Sequence, residues 1–314
     1  MHHRRRSPVL VERSQITSDD TSVSSYPDLS CSRASSDEPL AGTAPVTSAW
    51  LIVENPGPWG RKALTDSHLP AEVVAHISSA MEASSLTFLA ARHPSRRSLD
   101  EGDPRYVWLA YCDSTAARTE QVTIFAYEDI LTWDLEGLAH GRMPVSGTTV
   151  SSAQEFVCTN SKRDACCAIE GRKRVEATSA WECSHLGGHR FAATSLFLPS
   201  GRIYGRLGVA SYPDEPPASH LRGACYLPRP AQAAECAVRC AADISPAAAL
   251  ECTILTSSDR YAQISIVSPG DREWTVTCLA DDRDGPVSCG ADSERRLTWR
   301  AEIISDNPLS PQTI

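Results

Sequence analysis

The run Glu155-Phe156-Val157-Cys158-Thr159-Asn160-Ser161-Lys162-Arg163-Asp164-Ala165-Cys166-Cys167-Ala168 decides how the chain is read. An apolar strand end passes through a charged loop into a helix-like stretch from Cys167 to about Ala177, weakened at Gly171. A second run, Trp181-Glu182-Cys183-Ser184-His185-Leu186-Gly187-Gly188-His189, follows closely. Between them they offer two thiols, Cys158 and Cys167, and two imidazoles, His185 and His189. Thiolate and imidazole suit iron and zinc alike. Zinc sites usually space their Cys by two to four residues, whereas eight residues separate this pair. Structural zinc stands as the alternative reading. Gly187 and Gly188 would each cost about 1 kcal/mol in a helix, so the His pair is expected on a glycine loop. Such a loop lets the backbone approach a cluster and donate N–H groups to its sulfides. Cys166 and Cys183 each sit beside a preferred ligand and are alternates. Neighbouring side chains such as Cys166 and Cys167 cannot easily face one metal, so one of them should point into the core. Arg163, Asp164 and Arg190 flank the site, either as contacts that tune it or as solvated loop charges.

Outward from this region, the same grammar recurs near the start. Trp50-Leu51-Ile52-Val53-Glu54 reads as a buried strand, and Asn55-Pro56-Gly57-Pro58-Trp59-Gly60 forces a loop. A helix from Pro70 to about Ser84 presents Val73, Val74, Ile77 and Met81 on one face. Strand, loop and helix thus occur twice, at 50–84 and 155–177, as a degenerate internal repeat or as ordinary α/β grammar. Further strands are expected at 86–91, 106–111 and 121–127, and a short apolar helix at 130–138. A hairpin turns around Pro199-Ser200-Gly201. After the linker-like 212–217, an Ala-rich helix at 232–241 precedes strands at 251–255, 261–267, 273–279 and 297–304. The expected organisation is a disordered tail, 1–46, an N-terminal α/β half, 47–150, a ligand-bearing region, 151–245, and a β-rich attachment, 246–314, loose from Asp306.

The net charge of −9 argues against nucleic-acid binding, which needs a basic surface. No run approaches the roughly 20 apolar residues of a membrane span. The basic opening Met1-His2-His3-Arg4-Arg5-Arg6 lacks the apolar segment of an export signal, so a cytoplasmic protein is expected. The twelve Cys are then ligands, reduced thiols or core residues rather than disulfides. Cys112, Cys225, Cys236, Cys240 and Cys252 read as packing, Cys278 and Cys289 have a weak ligand spacing, and Cys31 reads as an exposed bystander in the tail. There is no G-x-S-x-G elbow, no Walker loop, no C-x-x-C pair and no carboxylate pair singled out for glycoside hydrolysis.

The segments Trp50 to Gly60, Val157-Cys158-Thr159, Lys162 to Ala168, Trp181 to Phe191 and Tyr204-Gly205-Arg206 resemble the sucrase/ferredoxin-like family. These are relatives of the thioredoxin-like [2Fe-2S] ferredoxins that include the fungal actin-patch-distal protein. The resemblance covers roughly residues 47 to 240, and His185-Leu186-Gly187-Gly188-His189-Arg190-Phe191 is its most specific string. It implies a thioredoxin-like sheet with flanking helices holding one [2Fe-2S] cluster. The family's ligands land on Cys158, on Cys167 rather than Cys166, and on His185 and His189. Arg163, Asp164, Gly187, Gly188 and Arg190 would surround the cluster. The implied function is electron transfer rather than catalysis, with a redox partner protein such as a flavoprotein reductase. Two departures stand out: many members carry His-Gly where this chain has Asn160-Ser161, and Cys183 has no ligand role in the fungal pattern. The hydrolysis in the family's name finds no supporting residues.

Overall fold

Apolar alternation in the first strand feeds two cores at once. In the computed structural model, which describes residues 30–270 and 272–308, strand β1 (Ala49–Glu54) is buried along its length. Ala49, Leu51 and Val53 enter one core, and Trp50 and Ile52 enter another on the opposite face. A strand covered on both faces needs this continuous apolar run.

In chain order the elements are helix α1 (Cys31–Ala34), β1, α2 (Ala63–Asp66), α3 (Ala71–Ala83), β2 (Leu86–Arg92), β3 (Arg105–Tyr111) and β4 (Arg118–Ile124). They continue with α4 (Leu135–Leu138), β5 (Thr148–Thr149), β6 (Gln154–Cys158), α5 (Ala165–Thr178), β7 (Trp181–Cys183), β8 (Ser195–Leu198), β9 (Arg202–Tyr204) and β10 (Leu221–Ala224). Helix α6 (Arg229–Ala241) leads to β11 (Glu251–Ser257), β12 (Tyr261–Val267), β13 (Arg272–Pro286) and β14 (Ser293–Pro308).

Strands β1 to β10 form one ten-stranded mixed sheet, ordered β10-β9-β8-β6-β7-β2-β1-β3-β4-β5. Within it one arrangement occurs twice. In β2-β1-β3-β4, β1 runs parallel to β2 across α3 and antiparallel to β3, which pairs with β4. In β7-β6-β8-β9, β6 runs parallel to β7 across α5 and antiparallel to β8, which pairs with β9. The recurring strand, loop and helix of the sequence therefore belong to two copies of a thioredoxin-like β-α-β-β-β unit. The copies meet at the antiparallel β2–β7 pair, where Ala91 faces Cys183 and Arg92 faces Glu182. Trp108 of one copy packs edge-on against Trp181 (4.6 Å between centroids) and Phe156 (5.0 Å) of the other.

The C-terminal attachment is the antiparallel sheet β11-β12-β13-β14. Its apolar face, with Ile264, Ile266, Trp274, Val276 and Trp299, covers Ala231, Ala234 and Val238 of α6. The other side of α6 contributes Cys236 to the core beneath Tyr204 and Leu221. Inside this contact Arg239 and Glu235 form a buried i,i+4 ion pair of 2.8 Å. Of the weakly spaced cysteines, Cys278 is simply packed here, its thiol donating to the Pro230 carbonyl at 3.3 Å.

Three expectations shift. The strand expected at 121–127 is β4, which ends at Ile124, because the Asp129 carboxylate captures the N–H groups of Phe125 and Ala126. The apolar stretch after it is a 3₁₀ turn, Tyr127–Thr132, followed by α4. Strand β14 continues through Asp306, which pairs with Arg272, so the chain is not loose from that point; residues 309–314 lie outside the described residues.

The disorder expected over 1–46 falls outside the described residues as far as 29, but residues 30–46 are packed. Cys31 is buried rather than an exposed bystander. Glu38 is fully buried and bonds both Arg190, at 2.9 Å, and Arg296. Composition misses this because the contact partners lie 152 and 258 residues away. Burial pushes the Glu38 carboxyl up, yet Arg296 and Arg190 outweigh it and hold it below its ordinary value. Glu38→Gln leaves two largely buried guanidinium groups short of a charge and should cost about 3 kcal/mol in denaturant unfolding at pH 7. Because the folded value lies below the unfolded value near 4.5, the wild-type advantage is present above that pH and is lost as the pH falls through the folded value. An unfolding difference that stays constant from pH 7 to pH 3 would contradict this.

Candidate metal centre

The second β-α-β unit converges on one point. Cys158 ends β6, and Cys167 lies in the first turn of α5. His185 follows β7, and His189 opens a 3₁₀ turn, His189–Phe191. The loop between β6 and α5 is closed by Asp164, whose carboxylate accepts from the Cys166 N–H at 2.8 Å and so caps the helix. Asn160 is buried, donates to the Gly60 carbonyl at 3.1 Å and ties this loop to the first unit.

The helix sits unusually near the strand that carries Cys158. Gly171, which reads from sequence as a helix weakness, faces β6 so closely that a Cβ would stand 2.2 Å from the Cys158 carbonyl oxygen. The missing side chain is what lets α5 bring Cys167 up to Cys158.

One donor atom each from Cys158, Cys167 and His185 lie within 4.8 Å of one another. Cys158 Sγ is 3.8 Å from His185 Nδ1, and His185 Nε2 is 3.4 Å from His189 Nδ1. His189 stands at the edge of that group rather than inside it. Its Nε2 is buried without a hydrogen-bond partner, with Asp164 Oδ2 at 3.8 Å. Burial, then His185 and Arg163, push the His189 imidazolium down to about 4, so the ring is neutral at pH 7. Cys167 and His185 stabilise a thiolate on Cys158, whereas Cys158 and burial push Cys167 up, so at neutral pH the pair shares one proton.

The two glycines adopt left-handed backbone, φ +76° at Gly187 and +69° at Gly188, as a loop rather than a helix requires. A Cβ on Gly188 would meet the Arg222 guanidinium at 2.4 Å. Arg222 is fully buried, donates to the Gly187 carbonyl at 3.0 Å and to Thr43 Oγ1 at 3.1 Å, and among the described residues forms no ion pair with a carboxylate. Burial and Arg190 push its pKa down to about 9, while Cys167 and Cys158 oppose this. No local pattern in the sequence marked Arg222, because it reaches the site from β10.

The remaining expected residues separate. Cys166 points away from Cys167, to a second group with Cys31, Cys289 and Asp164. Cys183 pairs in register with Cys158 but is packed in the core, its thiol pushed up by burial and then by Cys158. Arg163 is exposed. Arg190 is turned to Glu38 and lies over the Phe191 ring, 4.3 Å from its centroid.

A family model described as sucrase/ferredoxin-like matches residues 40–214, more than half of the chain, and the chain therefore belongs to the sucrase/ferredoxin-like family. No curated protein and no solved structure matches it. The matched range contains both β-α-β-β-β units and every donor of the centre. It ends before Arg222. No helix among the described residues is long and apolar enough to cross a membrane.

Gly171→Ala should force α5 away from β6, cost about 1–3 kcal/mol in chemical denaturation and weaken metal retention. Full stability with full metal content would show that the close approach is dispensable.

Proposed function

We propose that this sucrase/ferredoxin-like protein is an electron carrier holding one [2Fe-2S] cluster on Cys158, Cys167, His185 and His189. The observation that carries the reading is the buried, unpartnered Nε2 of a neutral His189 beside a three-donor group of two thiols and an imidazole. A buried polar atom without a partner costs free energy unless something binds it. The donor chemistry fits: soft thiolates and imidazoles both ligate iron. A single zinc ion fits less well, because His189 lies outside the 4.8 Å group, and a dinuclear centre spans such a spread better than one tetrahedral ion.

When bound, the cluster would supply one-electron exchange, and its two neutral His ligands would raise its potential above that of an all-Cys centre. The rest falls to the chain. The Cys158–Cys167 pair already carries one charge and gives up a single proton on binding. Arg222, a buried cation with no carboxylate partner among the described residues, favours the more negative, reduced state. Leu186 and Trp181 are buried in one cluster with Cys158 and Cys167 and keep water from them. His185, only partly buried, is the side from which a partner approaches most closely. That partner is a redox protein, such as a flavoprotein reductase. A chain with no disulfide among its described residues suits a reducing, cytoplasmic setting.

Anaerobically purified protein should contain about two iron and two acid-labile sulfide per chain and bleach on reduction. Stoichiometric zinc in these four ligands, without iron, would overturn the reading. His185→Cys and His189→Cys should retain iron and lower the midpoint potential by on the order of 100 mV, since each adds a thiolate charge. Cys167→Ser should lose the iron while Cys166→Ser keeps it. Arg222→Met should lower the potential and Arg222→Lys should largely preserve it; equal values for both would remove the guanidinium charge from the account.

A further inference from the structure

Three thiols that are far apart in sequence meet on the other side of Asp164. Cys31 Sγ lies 3.5 Å from Cys166 Sγ, Cys166 Sγ 3.2 Å from Cys289 Sγ, and Cys289 Sγ 3.6 Å from Cys31 Sγ. The Asp164 carboxylate closes the figure, with Oδ1 3.3 Å from Cys289 Sγ and 3.7 Å from Cys31 Sγ. Cys31 begins α1, Cys166 lies in the first turn of α5, and Cys289 sits in the turn between β13 and β14.

Packing alone accounts poorly for this. A tetrahedral zinc ion with bonds of about 2.3 Å to sulfur and 2.0 Å to oxygen sets S···S edges near ~3.8 Å and S···O edges near ~3.5 Å. The two S···O distances, 3.3 and 3.7 Å, straddle the second value, and the three S···S distances, 3.2, 3.5 and 3.6 Å, all fall somewhat short of the first. A regular tetrahedron with edges of about 3.5 Å has its centre about 2.1 Å from each corner, within about 0.2 Å of both the zinc–sulfur and the zinc–oxygen bond lengths. The Asp164 oxygens also accept from the backbone N–H groups of Cys166 and Cys289, each at 2.8 Å. Those bonds fix the carboxylate's orientation and offset part of the negative charge of a thiolate-rich site. Cys289 is only partly buried, which leaves an entry path.

We infer that Cys31, Cys166, Cys289 and Asp164 form a structural zinc site, separate from the Cys158 centre. It pins residues 30–46 and the β13–β14 turn to the start of α5. It also holds Asp164 where its second oxygen stands 3.8 Å from His189 Nε2. The site does not rest on the electron-transfer reading, because its three thiols are not among the residues of the other centre.

The test uses full-length protein from zinc-supplemented cells, dialysed against zinc-free buffer, with zinc and iron counted per chain. Wild type and Cys158→Ser should both keep about one zinc, while Cys31→Ser and Cys289→Ser should keep less than about a tenth of that. Loss of iron with retained zinc in Cys158→Ser, and loss of zinc in Cys289→Ser, separate the two sites. Undiminished zinc in Cys289→Ser, loss of zinc only in Cys158→Ser, or a Cys166–Cys289 disulfide found by peptide mapping would each overturn the proposal. Should the Cys31 and Cys289 variants fail to fold by circular dichroism, cobalt added to zinc-free Cys158→Ser provides the reading. A thiolate-to-cobalt charge-transfer band is expected, and its absence overturns the site.

Discussion

One buried carboxylate organises this end of the molecule. Asp164 caps α5, accepts the backbone N–H of a turn in the C-terminal sheet and stands next to His189. Without its negative charge the helix would begin with unsatisfied N–H groups, and the β13–β14 turn would lose its anchor. Burial pushes this carboxyl up, but the N–H groups of Cys289 and Cys166 and the nearby His189 hold it below its ordinary value. An ionised group is thus kept where three elements meet.

The two β-α-β-β-β units divide the work. The first has no Cys in its strand-to-helix loop; it has Asn55-Pro56-Gly57-Pro58-Trp59-Gly60, made rigid by Trp59 Nε1 bonding the Asn55 carbonyl at 2.8 Å. That loop offers its Gly60 carbonyl to Asn160 and so serves as a wall for the ligand loop of the second unit. A repeated backbone therefore yields one chemical site and one support for it.

Much of this was legible because it is local. The apolar run of β1, the one-sided helix at Val73 and Ile77, and the glycine pair between the histidines each carry their reason within a few residues. Gly171 shows the limit: its lack of a side chain reads as a defect along the helix and as a requirement across to β6. Cys31, Glu38 and Arg222 were misread or unmarked for one reason. Each takes its meaning from partners more than a hundred residues away, or from a buried neighbour on another strand.

The β2–β7 junction carries a consequence for how the chain can be divided. Each of these strands lends the other the hydrogen-bonding edge that it would otherwise show to solvent. A fragment cut between the units would bare the backbone of Ala91 and Arg92, or of Glu182 and Cys183, together with the indole of Trp108 or Trp181. Such a surface recruits other copies of itself, so the halves are partners by necessity and neither is a module that could be lent to another protein.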